Sequence, residues 1–252
     1  MYPALAHLIP LLAKARRRHT GKLLALALAS AFTTTTPALA SMTLSARAKP
    51  VSIAVVGDSL ANDLGRGMEA LFASKRNVRV IKQTRFATGL VRTDYFDWNA
   101  SLRGFLSNAD PDVIVVVIGG NDHQPIRLKR GRLDPLSRPW LSEYERRVAL
   151  FMGTLKRKRT KVYWVGLPVV RSPKLSGAYQ AMNGIYRRQA ARHGFKYLNI
   201  AKPFQAKDGA YSSFGQSLEG VKRQLRKDDG MHFTDAGGQL FAAHVARAIG
   251  LR

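Results

Sequence analysis

Three short clusters of polar residues flanked by glycine stand out as the places where this sequence can do chemistry. Gly57, Asp58, Ser59 and Leu60 form the first, Gly119, Gly120, Asn121 and Asp122 the second, and Asp229, Gly230, Met231 and His232 the third. A serine becomes a nucleophile when a base lies within hydrogen-bond reach, and that base needs a third group to orient it. Ser59, His232 and Asp229 supply those roles. Asp229 and His232 stand three positions apart, so a single turn can bring the carboxylate beside the imidazole. Attack on an acyl carbonyl also needs donors aimed at the developing oxyanion. The candidates are the Ser59 N–H, a glycine N–H such as that of Gly89, and the Asn121 side-chain amide. Asp58 and Asp122 read as turn residues bonded to nearby backbone. Asp228 is a rival orienting acid. His123 reads as an exposed loop residue, and His193 and His244, on predicted helices, as structural or solvated. No set of His, Asp and Glu has metal-ligand spacing. Neither a metal nor a cofactor is expected.

The flanking residues say what must position these groups. Residues 51–56 are apolar or small and mostly β-branched, which predicts a strand buried on both faces. Leu60, Leu64, Met68, Leu71 and Phe72 then mark one face of a helix. Ser59 thus falls in a strand-to-helix turn, near free backbone N–H groups and at the sheet edge where open α/β folds bind ligands. The run 113–118 repeats this logic ahead of Asn121. Further strands are expected at 78–82, 161–167 and 195–200, and helices at 141–158, 175–193 and 234–249. The segment 84–98 reads as an aromatic-rich loop and 124–139 as a basic loop. Residues 207–227, just before the acid, are a candidate lid. Alternating strands and helices predict a three-layer αβα domain with a parallel sheet.

The chain has 252 residues and is 46% hydrophobic, enough for one α/β domain with a substantial core. It has no cysteine, which excludes disulfides and any Cys-based site. Lys14, Arg16, Arg17, Arg18 and Lys22 form a basic leader without an acid, followed by an apolar segment at 23–32 and small residues at Ala38 and Ala40. That layout predicts a secretory signal peptide at 1–40, cleaved after Ala40, and a periplasmic or secreted protein. The ten-residue apolar segment is too short to span a bilayer comfortably. Residues 41–50 read as a flexible mature amino-terminus ahead of a domain at 51–252. The net charge is +25; without the leader, 36 basic and 16 acidic residues leave +20. Such a charge steers polyanions. For an exported protein, anionic glycans or lipid surfaces are the expected partners.

The three clusters resemble blocks I, III and V of the SGNH, or GDSL-type, hydrolase superfamily, over residues 51 to 249. Ser59 matches the nucleophile of that superfamily, Asn121 its block III asparagine, and Asp229 with His232 its D-x-x-H block, which favours Asp229 over Asp228. Gly89 matches the block II glycine. Residues 89–98, 164–168 and 229–234 are similar to an exported bacterial group carried as a domain of unknown function. The resemblance implies a flavodoxin-like five-stranded sheet, an oxyanion hole of Ser59, Gly89 and Asn121, and metal-free ester chemistry. No G-x-S-x-G elbow supports an α/β-hydrolase. The expected activity is an exported serine esterase acting on O-acyl, chiefly O-acetyl, esters of envelope or exported carbohydrate. An O-acyltransferase would share its first half-reaction. A non-catalytic envelope protein binding an acylated or anionic glycan fits the charge but not the intact nucleophile set. Nucleic-acid binding is prompted by charge alone, without a known motif.

Overall fold

The computed structural model describes residues 49–251. The predicted leader, its cleavage point and most of the stretch 41–50 lie outside them. Strand β1 (Val51–Gly57) runs into helix α1 (Ser59–Leu71), followed by β2 (Val78–Thr84), α2 (Trp98–Asn108) and β3 (Val113–Val117). A short hairpin of β4 (Ile126–Arg127) and β5 (Arg132–Leu133) precedes α3 (Arg138–Leu155), β6 (Lys161–Val165), α4 (Pro173–His193) and β7 (Lys196–Leu198). A 3-10 turn at Lys202–Phe204 and a second hairpin, β8 (Phe214–Gln216) with β9 (Lys222–Gln224), lead to α5 (Asp235–Ala248).

Five strands form one parallel sheet in the order β2-β1-β3-β6-β7. The step from β1 to β2 runs to one side, and each later step runs to the other. Right-handed crossovers therefore put α1 on one face and α2, α3 and α4 on the opposite one. Helix α5 packs on α1, and α3 packs on α2 and α4. This is the expected flavodoxin-like three-layer αβα fold. Its switch point lies between β1 and β3, whose outgoing crossovers diverge.

The core is built from the runs that predicted it. Ile53 to Val56 and Ile114 to Val117 have no solvent exposure, and Leu60, Leu64 and Met68 carry α1 onto them. Each of the Val, Ile, Leu and Met side chains contributes about 1.5–3 kcal/mol of burial, more than a typical helix cap does. Helices α1 and α5 meet at glycines: a Cβ on Gly67 would lie 2.0 Å from the Gly238 carbonyl oxygen.

Three readings of the sequence need revision, the first being the basic loop 124–139, which carries the β4–β5 hairpin and the start of α3. Helix α2 begins at Trp98, where Asp97 caps it by accepting the Ala100 N–H at 3.0 Å. Only Trp98, Leu102 and Leu106 of this helix are buried, a stripe too narrow to stand out beside the aromatics of the preceding segment. The candidate lid is in part a hairpin anchored to the core. Leu225 and Arg226 are buried, and the Thr234 hydroxyl donates to the Gln224 carbonyl at 2.7 Å.

Candidate active site

The site sits where β1, β2 and β3 end level, with Gly57 in register with both Thr84 and Val117. Gly57 has φ +141°, and a Cβ there would lie 1.8 Å from the Val117 carbonyl oxygen. Only glycine lets the two central strands finish this close together. Ser59 opens α1, so its N–H belongs to a first turn without intrahelical partners.

Asp58 is buried and does more than close its own turn. One carboxylate oxygen accepts the Leu60 N–H at 3.0 Å. The other accepts the N–H groups of Gly119 at 2.9 Å and Gly120 at 2.8 Å. Burial pushes its carboxyl up to about 7, against the downward pull of those donors. The expectation of a local turn bond was incomplete, because this carboxylate ties the serine loop to the asparagine loop.

On the other side of Ser59, His232 Nε2 lies 2.8 Å from Ser59 Oγ, and His232 Nδ1 lies 2.7 Å from Asp229 Oδ2. The second oxygen of Asp229 accepts the N–H groups of Met231 at 2.7 Å and His232 at 2.9 Å. Partial burial raises the Asp229 carboxyl, but these backbone donors and the imidazole outweigh it and hold it at about 2. A carboxylate at Nδ1 places the proton of a neutral imidazole on that nitrogen and leaves Nε2 to accept from the serine hydroxyl. Asp228 turns elsewhere and accepts from Gln224 Nε2 at 2.7 Å.

The segment after β2 completes the site. Ala87 has φ +57°, a left-handed backbone rare outside glycine, and Thr88 and Gly89 follow it. Asn121 Nδ2 donates to the Thr88 carbonyl at 2.9 Å, which uses one of its two hydrogens. Asp122 accepts from the N–H groups of Leu90 at 2.9 Å and Val91 at 2.8 Å. Arg147 donates to the carbonyls of the same two residues at 3.1 and 2.6 Å. Asp122 therefore clamps a distant loop instead of bonding only within its own turn. The Gly89 Cα lies so close to Asp122 that a Cβ would fall 2.1 Å from Oδ1.

The structure thus brings Ser59, Asp229 and His232 into one hydrogen-bonded chain, with Gly89 and Asn121 held on the loops beside it. His123 is half-buried rather than exposed, and its Nδ1 is buried without a partner. His193 Nδ1 contacts the Gln189 carbonyl at 2.9 Å, away from these loops.

Several positioning residues escaped the sequence reading. Asp63, one turn after Ser59, accepts the Phe233 N–H at 3.0 Å and so fixes the residue next to His232. An acid on the otherwise apolar face of Leu60, Leu64 and Met68 was the available signal. Arg226 is fully buried and reaches the carbonyls of Val169 at 2.8 Å and Met231 at 2.6 Å. Tyr144, Tyr179 and Tyr186 are buried in the core, yet their hydroxyls serve the loops. Tyr144 donates to Asp122 at 2.8 Å and contacts the Tyr186 hydroxyl at 2.6 Å, while Tyr179 donates to the Gly120 carbonyl at 2.7 Å.

Comparison with known proteins agrees with this fold. The profile of a family described as a protein of unknown function (DUF459) matches residues 52–248. No curated protein of matching sequence was found. A carbohydrate acetylesterase from Sinorhizobium meliloti superposes with a TM-score of 0.54 at 15% identity, covering 79% of this chain and 97% of that one. A member of the lipolytic protein G-D-S-L family from Veillonella parvula gives 0.55 at 17% identity, with the coverages 79% and 97%. The aryl esterase of M. smegmatis gives 0.53 at 15% identity, again with 79% and 97%. The chain belongs to the DUF459 family, and its fold is that of the SGNH hydrolases.

Proposed function

We propose that the protein is an exported serine esterase that removes acyl groups, chiefly acetyl, from envelope or exported carbohydrate. The observation that carries the reading is the chain from Ser59 Oγ to His232 Nε2 at 2.8 Å and from Nδ1 to Asp229 at 2.7 Å. In this mechanism Ser59 Oγ attacks the ester carbonyl while Nε2 takes its proton. The imidazolium is oriented and stabilised by Asp229. The N–H groups of Ser59 and Gly89 and the second Nδ2 hydrogen of Asn121 receive the oxyanion. As the tetrahedral intermediate collapses, the leaving alcohol takes the proton from Nε2. Water then repeats the sequence on the acyl-enzyme and releases the free acid.

The carbohydrate and the export are supported by three further facts. The leader has the layout of a signal peptide, and a charge of +20 on the remainder suits an anionic surface or polymer. The acetylesterase from Sinorhizobium meliloti shares the fold and acts on carbohydrate, which supports testing that class first. Acetate release from O-acetylated oligosaccharides, with and without Ser59→Ala, tests the proposal. Serine-dependent release is the expected result. Serine-dependent cleavage confined to simple aryl esters would remove the carbohydrate from it.

A further inference from the structure

A cleft of about 830 Å³ opens beside the turn that carries Asp229 and His232, within the size range of small-molecule sites. It is walled by residues 167–173, by α4 as far as Arg187 and by the segment 199–211. These walls are bonded directly to the triad loops. The Arg171 N–H donates to the Gly230 carbonyl at 2.9 Å, and its guanidinium donates to the Asp228 carbonyl at 2.5 Å. Tyr179, on the α4 wall, holds the Gly120 carbonyl beside Asn121. A ligand lying in this cleft would touch segments that are bonded to the loops carrying the acid, the base and the asparagine.

No aspartate or glutamate lines the cleft, whereas Arg171 and Arg187 both do. Among the described residues neither pairs with a carboxylate, although Arg188 and Arg192 on the same helix both pair with Glu145. Behind the wall, buried Arg226 also lacks a carboxylate within salt-bridge distance and stands 5.4 Å from the Tyr211 ring. A concave surface lined by one sign of charge concentrates the field inside the cleft. Guanidinium groups grip carboxylates with two parallel hydrogen bonds. Gln180 and Gln205 add side-chain amides without a partner among the described residues, suited to hydroxyl groups. Of the two tyrosines lining the cleft, Tyr211 already has the Arg171 guanidinium over its ring at 5.7 Å, and the Tyr179 ring is buried. A single-stranded nucleic acid, which needs open aromatic faces for its bases, is poorly served.

We propose that this cleft is the subsite for the alcohol portion of the substrate, and that it takes a carboxylated oligosaccharide whose acid groups meet Arg171 and Arg187. The assignment rests on the esterase reading for its direction, with the ester carbon at Ser59 and the sugar chain passing over the Asp229 turn.

The test is calorimetric titration of the full-length protein with tetragalacturonate, beside neutral cellotetraose. The charged sugar is expected to bind at least about tenfold more tightly than the neutral one. Its affinity should fall about tenfold in Arg187→Gln and further when Arg171→Gln is added, the loss expected for charge-assisted hydrogen bonds. Arg187→Glu, an exposed helix position, should lower it at least as much. Equal binding of both sugars, or charged-sugar binding indifferent to all these substitutions, would overturn the assignment. Failure of the esterase reading shows separately, as absence of Ser59-dependent turnover of p-nitrophenyl acetate while tetragalacturonate still binds through the arginines.

Discussion

Ser59 reaches its base only because His232 is held from three directions at once: by Asp229 at Nδ1, by its own N–H on Asp229, and by Asp63 gripping the neighbouring Phe233. Asn121 is similarly fixed through the Thr88 carbonyl. If its second hydrogen meets the oxyanion, Asn121→Ala should lower kcat by about a hundredfold or more with little change in KM. A loss confined to KM, measured on p-nitrophenyl acetate, would remove it from that role. The pH profile is equally specific. With the Asp229 carboxyl held at about 2, acidification toward pH 4 leaves it ionised, whereas the Asp58 carboxyl, pushed up to about 7, takes a proton and loosens the Gly119 and Gly120 N–H groups it holds. kcat/KM should therefore fall as pH drops through about 7, and a profile flat from about pH 8 to pH 5 would contradict that account. Ser59, Asn121, Asp229 and His232 were legible in the sequence because the chemistry requires those types and glycines mark their turns. Asp63 and Arg147 were not, because each works on a partner remote in the chain: Phe233 for Asp63, Val91 for Arg147.

Ser59 opens α1 and His232 lies just ahead of α5, so the separation of the two helices sets the Ser59–His232 distance. Gly67 and Gly238 allow the approach. Gly67→Ala should cost about 1–3 kcal/mol through overpacking and lower activity beyond the loss of folded protein, as thermal melts beside kcat would show. A neutral effect would mean that the helices can separate without moving His232. Gly57→Ala should be worse, since its backbone is left-handed and its Cβ would overlap the Val117 carbonyl. Recovery of a well-folded, active Gly57→Ala protein would contradict that account. The long, apolar elements were readable from period alone. Helix α2 and the two short hairpins were not, because narrow stripes and two- or three-residue strands leave little periodic signal.

Taken whole, the domain places every candidate catalytic group at the carboxyl edge, at the switch between β1 and β3. The sheet is therefore both scaffold and address, as in other open α/β folds. Charge enters at this level as well. Asp229 and Glu143 are both held at about 2, Asp229 by the donors described and Glu143 chiefly by the Arg146 guanidinium. Carboxyls lowered in the folded state add stability above their unfolded pKa, and that stability is lost as pH falls through the folded value. Stability should therefore drop between about pH 4 and pH 2, and Glu143→Gln should flatten the drop in denaturant titrations. An unchanged slope would mean that the Arg146 pair contributes nothing beyond solvent screening.

The most direct test of the central claim is steady-state hydrolysis of p-nitrophenyl acetate by the purified protein beside Ser59→Ala, with melting temperatures taken on both. Sustained turnover that falls about a thousandfold or more in the variant, at an unchanged melting temperature, is the predicted result. Near-wild-type turnover by a folded Ser59→Ala protein would contradict the assignment of Ser59 as nucleophile.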